Sequence, residues 1–184
     1  MLKPWVKLRS TPVGDFHVFK VRRDTSVNPR TGREHDFYVA DSVHWVNVVA
    51  LTPDRQIVMV EQFRHGSQTV ELEIPGGMMD AHETDPVLAG TRELREETGY
   101  AGEAARLLGR VHANPAIFSN LCYTVIVENC RRQHDVEFDQ GEDLITRLVP
   151  VADLPRMVAT EQIKHPLVVA ALYHFELWQR GMKT

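Results

Sequence analysis

The chain has 184 residues, enough for one compact domain with its own core and a short extension. Hydrophobic residues make up 43% and charged residues 25%, the balance of an ordinary soluble globular protein. A formal net charge of −4 and a pI near 6.1 speak against a protein that tracks nucleic-acid phosphates through a basic stripe. An acidic chain that handles a polyanion needs metal ions or a few local arginines. The two cysteines, Cys122 and Cys130, would lie along one predicted strand, a poor geometry for a disulfide, and read as buried thiols in a reducing cytoplasm. The N-terminal MLKPWVKLRS lacks an apolar signal core, and no stretch approaches the length of a membrane span. The nine histidines are scattered without metal-ligand spacing, so no zinc site is expected.

In chain order, 16–23 (FHVFKVRR) and 37–40 (FYVA) read as strands around an Asn28-Pro-Arg-Thr-Gly32 turn. A second pair follows at 45–51 (WVNVVAL) and 57–63 (IVMVEQF), joined by a Thr-Pro-Asp turn. Residues 69–74 (TVELEI) form another expected strand, ending at Pro75-Gly76-Gly77. The first helix is predicted from Pro86 to Thr98, with Asp85 as N-cap, Pro86 at the first helical position and Gly99 as the stop. Strands at 106–112, 121–128 and 144–151 come next, then a short helix near 152–160 and a longer one from Pro166 to about Arg180. In the last, Leu167, Ala171, His174, Phe175 and Trp178 recur at helical spacing, a packing stripe. The sum is a mixed α/β (α+β) domain.

Chemistry concentrates on the helix segment Arg92-Glu-Leu-Arg-Glu-Glu-Thr-Gly-Tyr100. At 3.6 residues per turn Glu93, Glu96 and Glu97 share one face, while Val87, Thr91, Leu94 and Thr98 take the roughly opposite, sheet-packing face. Glu93 and Glu97 are a like-charge i,i+4 pair, costing about 0.2–0.5 kcal/mol on a solvated helix. Oxygen-only ligands in that arrangement suit Mg²⁺ or Mn²⁺. Taken alone, the same string also reads as a solvated charged face with Arg92 and Arg95 as internal partners. The glycine turn and Glu83 upstream of a well-capped helix favour the metal reading.

Residues 77–100 resemble the Nudix box, Gly-x5-Glu-x7-Arg-Glu-U-x-Glu-Glu-x-Gly-U with U apolar. Gly77, Glu83, Arg92, Glu93, Leu94, Glu96, Glu97, Gly99 and Tyr100 match by type, with eight residues instead of seven between Glu83 and Arg92. The resemblance implies an α/β/α sandwich with a mixed sheet over 43–184, preceded by antiparallel strands in 1–42 at a dimer interface. It also implies Glu93 and Glu97 as principal metal ligands, Glu96 assisting, the Gly76 carbonyl completing the site, and Arg92 orienting a carboxylate. The extra residue between Glu83 and Arg92 puts their mutual contact in question.

Further landmarks resemble the branch that hydrolyses ADP-ribose and nucleoside diphosphate sugars. They are Asn28-Pro-Arg-Thr-Gly-Arg-Glu-His-Asp-Phe-Tyr, Trp45-Val-Asn, Glu61-Gln-Phe-Arg64, Glu73-Ile-Pro-Gly-Gly and Asn114-Pro-Ala. By that resemblance the substrate is a small nucleotide sugar cut with Mg²⁺ (Mn²⁺ also suits), and the enzyme is a cytoplasmic homodimer with no nucleic-acid or membrane partner. Arg64 reads as a phosphate clamp or a surface ion pair, and Glu73 as a ligand of sugar or base hydroxyls or an arginine partner. Trp45, Phe37 and Trp5 are candidates for stacking on a base, with core or interface burial as the plainer reading. In the polar loop 131–143, Glu142 aligns best with the branch's general base, with Glu137, Asp139 and Asp143 as rivals. Two other readings stay open: the same chemistry on dinucleotide polyphosphates, dinucleotide cofactors or damaged triphosphates, and a non-catalytic nucleotide-sugar-binding domain.

Overall fold

The computed structural model describes residues 1–182, which divide into two compact units. The first comprises Met1–Val43 with His112–Leu121, and the second comprises His44–Val111 with the chain from Cys122 onward.

In the first unit β1 (Val6–Asp15), β2 (Lys20–Val27) and β3 (Glu34–Asp41) form an antiparallel sheet in chain order. The strand expected at 16–23 starts later, because residues 16–19 turn the chain. Phe16 donates its N–H to the Phe19 carbonyl (2.9 Å) and Val18 donates to that of Phe16 (2.8 Å). The strand β1 has no counterpart in the sequence reading. Nearly all of it is exposed, so no apolar alternation marks it, and pairing with β2 holds it in place. The expected turn at Asn28 is present: its Oδ1 accepts the N–H groups of Arg30 (2.9 Å) and Thr31 (3.2 Å). Asp24, buried in β2, accepts from Ser10 Oγ (2.6 Å) and Arg22 Nε (3.0 Å), and Arg22 also pairs with Asp41. Residues 112–121 join through the end of β3, where Ala40 donates to the Ile117 carbonyl (2.7 Å).

The second unit opens with β4 (Trp45–Leu51), β5 (Gln56–Arg64), β6 (Thr69–Glu73) and β7 (Gly76–Met78). Helix α1 (Pro86–Thr98) follows, then β8 (Tyr100–Ala101), β9 (Ala104–His112), β10 (Leu121–Glu128), β11 (Arg131–Arg132) and β12 (Leu144–Pro150). Helices α2 (Leu154–Ala159) and α3 (Pro166–Gln179) close the chain. A seven-stranded mixed sheet runs β12-β5-β4-β10-β9, with β6 added to β5 and β7 to β4. The β4–β10 pair is parallel, while β5 lies antiparallel to β4, β6 and β12. The short strands β7, β8 and β11 are below the length at which a period of two can be read.

Alternation along β4 feeds both faces of this sheet. Val46, Val48 and Ala50 pack with Ala89 and Leu94 of α1, whereas Val49 and Leu51 join Leu154, Val168, Ala171 and Phe175 of α2 and α3. That is the expected α/β/α sandwich around a mixed sheet. Cys122 and Cys130 are free and buried, and desolvation pushes both thiols up to about 12. No described helix is long and apolar enough to cross a membrane.

Leu94 is 1% exposed between α1 and the sheet, while Leu88 on the same helix is 66% exposed. Leu94→Ala is expected to cost about 2–5 kcal/mol in urea unfolding, and Leu88→Ala less than about 0.5 kcal/mol. Equal costs would contradict this packing.

Candidate active site

The helix that carries the carboxylates is fixed at both ends. Asp85 Oδ1 accepts the Val87 N–H (2.8 Å), Pro86 opens the first turn, and left-handed Gly99 (φ 72°) donates to the Arg95 carbonyl (2.8 Å). Between these caps α1 buries Ala89, Gly90, Leu94 and Thr98, but also Glu93 and Glu97. This departs from the sequence reading, which set the glutamates on a face away from the packing. Their residual exposures are 8% and 3%.

What covers them is the glycine turn of β7. The Gly76 N–H donates to Glu97 Oε2 (3.0 Å). A Cβ on Gly77 would stand 2.8 Å from both carboxylate oxygens of Glu93, and one on Gly76 would stand 2.2 Å from the Val46 carbonyl. Fixed backbone bars a side chain at Gly76, whereas one at Gly77 would displace the Glu93 carboxylate. Burial is the main cause that raises Glu93 to about 7 and Glu97 to about 8, and the charge of Glu142 pushes both further up.

Arg92 spans the neighbouring acids. Its Nε and Nη2 donate to Glu83 (3.0 and 3.1 Å), its Nη1 to Glu96 (2.9 Å), and its Nη2 lies 3.1 Å from Glu93. The Glu83–Arg92 contact therefore forms despite the eight-residue spacing. Glu83 also accepts the Asp80 N–H (2.8 Å), and the Arg92 bond holds its carboxyl below the usual range. Among the described residues no group of three His, Cys, Asp or Glu side chains closes around one point. The box glutamates are turned to arginines or, for Glu97, to a backbone N–H.

Arg64 donates through Nε and Nη2 to the buried carboxylate of Glu73 (2.7 and 2.8 Å), a bidentate pair. The charges of Glu97 and Glu142 also act on this guanidinium, so the structure brings Arg64 to the carboxylate cluster. Glu142 is half-buried, whereas its rivals Glu137, Asp139 and Asp143 are exposed. Its Oε2 accepts the Asp139 N–H (2.9 Å), and its own N–H returns to the Asp139 carbonyl (3.0 Å). Trp45 opens β4, and alternation with Val46 and Val48 turns it to the sheet face opposite α1. One tie escaped the sequence reading: Arg95 binds Glu137 from 42 positions away (2.8 Å), a separation at which no local spacing signals a contact.

With this geometry in view, the NUDIX domain family matches residues 41–171. The chain belongs to the Nudix family. Among relatives of this Nudix chain, the ADP-ribose pyrophosphatase of Bacillus subtilis (strain 168) is 26% identical over 133 residues, covering 72% of this chain and 71% of that protein. The ADP-ribose pyrophosphatase of Mycobacterium tuberculosis is 27% identical over 159 residues, covering 84% and 75%. In three dimensions the chain superposes on a crystal structure of ADP compounds hydrolase with a TM-score of 0.85, at 20% identity, over 98% of this chain and 97% of that one. The two chains thus share a fold, which in this one includes the Nudix domain at 41–171.

The raised carboxyls give this site a pH signature. Their ionised forms are favoured in the unfolded chain, so stability falls as pH rises from the ordinary glutamate range through about 7 and 8. Without divalent metal, the melting temperature of the Nudix chain is expected to decline between about pH 5.5 and 8.5, and Glu97→Gln to flatten that decline. An identical slope in both proteins would show that Glu97 does not titrate as described.

Proposed function

We propose that this Nudix protein hydrolyses the diphosphate bond of ADP-ribose or a related nucleoside diphosphate sugar, giving a nucleoside monophosphate and a sugar phosphate. The observation that carries the chemistry is the pair of buried glutamates, Glu93 and Glu97, pressed against a glycine turn. The substrate class is supported by relatives named ADP-ribose pyrophosphatase.

Nudix hydrolases generally use divalent metal ions, and the donor set fits one. Glu93, Glu97, the half-exposed Glu96 and the Gly76 carbonyl would hold Mg²⁺ or Mn²⁺ through hard oxygen ligands. When bound, such an ion neutralises the diphosphate and lowers the pKa of the attacking water. Arg92 orients Glu83, Glu93 and Glu96 by charge-assisted hydrogen bonds. Glu142 takes the proton from the water that attacks phosphorus, after its carboxylate leaves the Asp139 N–H. The P–O bond to the bridging oxygen breaks, and the leaving phosphate departs with that oxygen. Arg64, held in orientation by its bidentate bonds to Glu73, binds a phosphate oxygen of the substrate. Trp45, at the start of β4, is the remaining candidate for stacking on the base.

The working form we propose is a homodimer in the cytoplasm. Exposed apolar side chains on the three-stranded sheet of the first unit, among them Leu8 (50%), Val13 (54%) and Tyr38 (58%), support a covered surface there. Two buried free thiols agree with a reducing compartment.

A panel of nucleotide sugars, dinucleotide polyphosphates and dinucleotide cofactors, assayed with Mg²⁺ by phosphate release after phosphatase coupling, tests the substrate class. ADP-ribose or another nucleotide sugar is expected to lead, and turnover of none would refute the reading. Glu97→Gln is expected to fold and to lose at least about a hundredfold in kcat/KM. Glu142→Gln should lower kcat by about 10²–10⁴-fold with KM changed less than about threefold. If Glu137→Gln or Asp139→Asn shows that pattern in its place, the base is misassigned.

A further inference from the structure

In the stretch from Arg131 to Asp143 the first half is hydrogen-bonded to other elements, and the second half forms a turn bonded within itself. It starts zipped to the chain that leaves α1, with β11 paired to β8. Gln133 and His134 then both donate their N–H groups to the Gly99 carbonyl (2.9 and 3.0 Å). The last hold before the sheet resumes is Glu137. Its N–H donates to the Glu96 carbonyl (2.8 Å), one of the terminal carbonyls that α1 leaves without a partner in the helix. Its side chain receives Nη1 and Nη2 of Arg95 on its two oxygens (2.8 and 3.3 Å). At the far end the chain is fixed again where Leu144 pairs with Gln62 in β12 and β5. Glu142 rides on the span between these two anchors, in the turn it forms with Asp139.

We propose that Arg95 and Glu137 are positioning residues: their bidentate tie clamps the loop to the end of α1 and thereby sets where Glu142 stands relative to Glu93 and Glu97. The proposal rests on the reading of Glu142 as general base given above. Three observations carry it. First, the tie joins the element that bears the carboxylates to the loop that bears the base, so it acts on their separation. Second, it closes a continuous run of alternating charge, Glu83–Arg92–Glu96–Arg95–Glu137, because Arg95 also lies 3.6 Å from Glu96 and Arg92 bonds both Glu83 and Glu96. An arginine held by a glutamate on each side keeps little freedom. Third, without the side-chain tie only the backbone bond from the Glu137 N–H to the Glu96 carbonyl holds the loop to α1 beyond His134, which widens the range of positions open to Glu142.

The pair is partly exposed, with 37% of the Arg95 side chain and 59% of the Glu137 side chain accessible. Exposed ion pairs contribute only about 0–1 kcal/mol to stability, so its loss should barely change the melting temperature. Catalysis is more demanding, since a base displaced by about 1 Å can lose up to a hundredfold in rate. This contrast separates positioning from plain structure.

The test uses the full chain with saturating Mg²⁺ and ADP-ribose, in four variants: Glu137→Gln, Arg95→Glu, Glu137→Arg and the exchange Arg95→Glu/Glu137→Arg. Each single variant is expected to lose about tenfold or more in kcat with KM within about threefold, and the exchange to recover to within about threefold of wild type. Amide hydrogen exchange over residues 133–143 should quicken in the singles and return to the wild-type rate in the exchange variant. In a Glu142→Gln background the same substitutions should cost nothing further in kcat, because the group they position is gone. Singles with wild-type kcat and unchanged exchange would overturn the proposal, as would a charge exchange that fails to rescue. The exchange measurement reads the tie without reference to Glu142, whereas Glu142→Gln alone reads the base. A failure of one reading is therefore distinct from a failure of the other.

Discussion

Two like charges one helical turn apart, Glu93 and Glu97, are held out of water against a backbone that has no room for a side chain. On a solvated helix such a pair costs about 0.2–0.5 kcal/mol, and desolvation raises that cost. The protein's own cations answer it only in part. Arg92 reaches Glu93, Glu97 accepts the Gly76 N–H, and Arg64 is already committed to Glu73. Burial raises both carboxyls, and the nearby arginines offset that rise only in part. A hard divalent cation among these oxygens would supply what the fold withholds.

The sheet supplies the force that maintains this arrangement. The strand β4 pairs with β7 through Asn47 and Gly76, and two residues of the same strand, Val46 and Val48, pack against Ala89 and Leu94 of α1. Glycine turn and helix are thus referred to one strand, so the spacing between Gly76–Gly77 and Glu93–Glu97 is set by core packing. Gly90 lets the helix lie close, since a Cβ there would already stand 3.2 Å from Val46 and Val48 methyl groups. Caps at Asp85 and Gly99 then fix where α1 begins and ends, and so which turn of the helix meets β7.

Much of this could be read in advance, for reasons that are local. The caps of α1, its length and the triad Glu93, Glu96, Glu97 follow from residue types at short spacings, and most strands of the second unit follow from apolar runs between turns. Features decided at long range could not be read in the same way. The strand β1 carries no alternation because little of it is buried, and the face that Trp45 takes depends on how β4 sits in the sheet. The burial of Glu93 and Glu97 needs β7 laid across them. The Glu83–Arg92 contact, which the spacing put in question, forms because a guanidinium on a flexible stem tolerates one extra residue where a rigid element would not. The Arg95–Glu137 tie joins positions that no motif relates.

On the proposed function, a divalent cation held by the buried carboxylate pair on α1 would remove the cost of that pair to the fold. Manganese titration by electron paramagnetic resonance at about pH 8, where both carboxyls are ionised in the presence of metal, tests it most directly. Wild type should bind Mn²⁺ and gain melting temperature. The double variant Glu93→Gln/Glu97→Gln should bind at least about a hundredfold more weakly while melting, metal-free, no lower than wild type. Undiminished Mn²⁺ binding by the double variant would contradict the account.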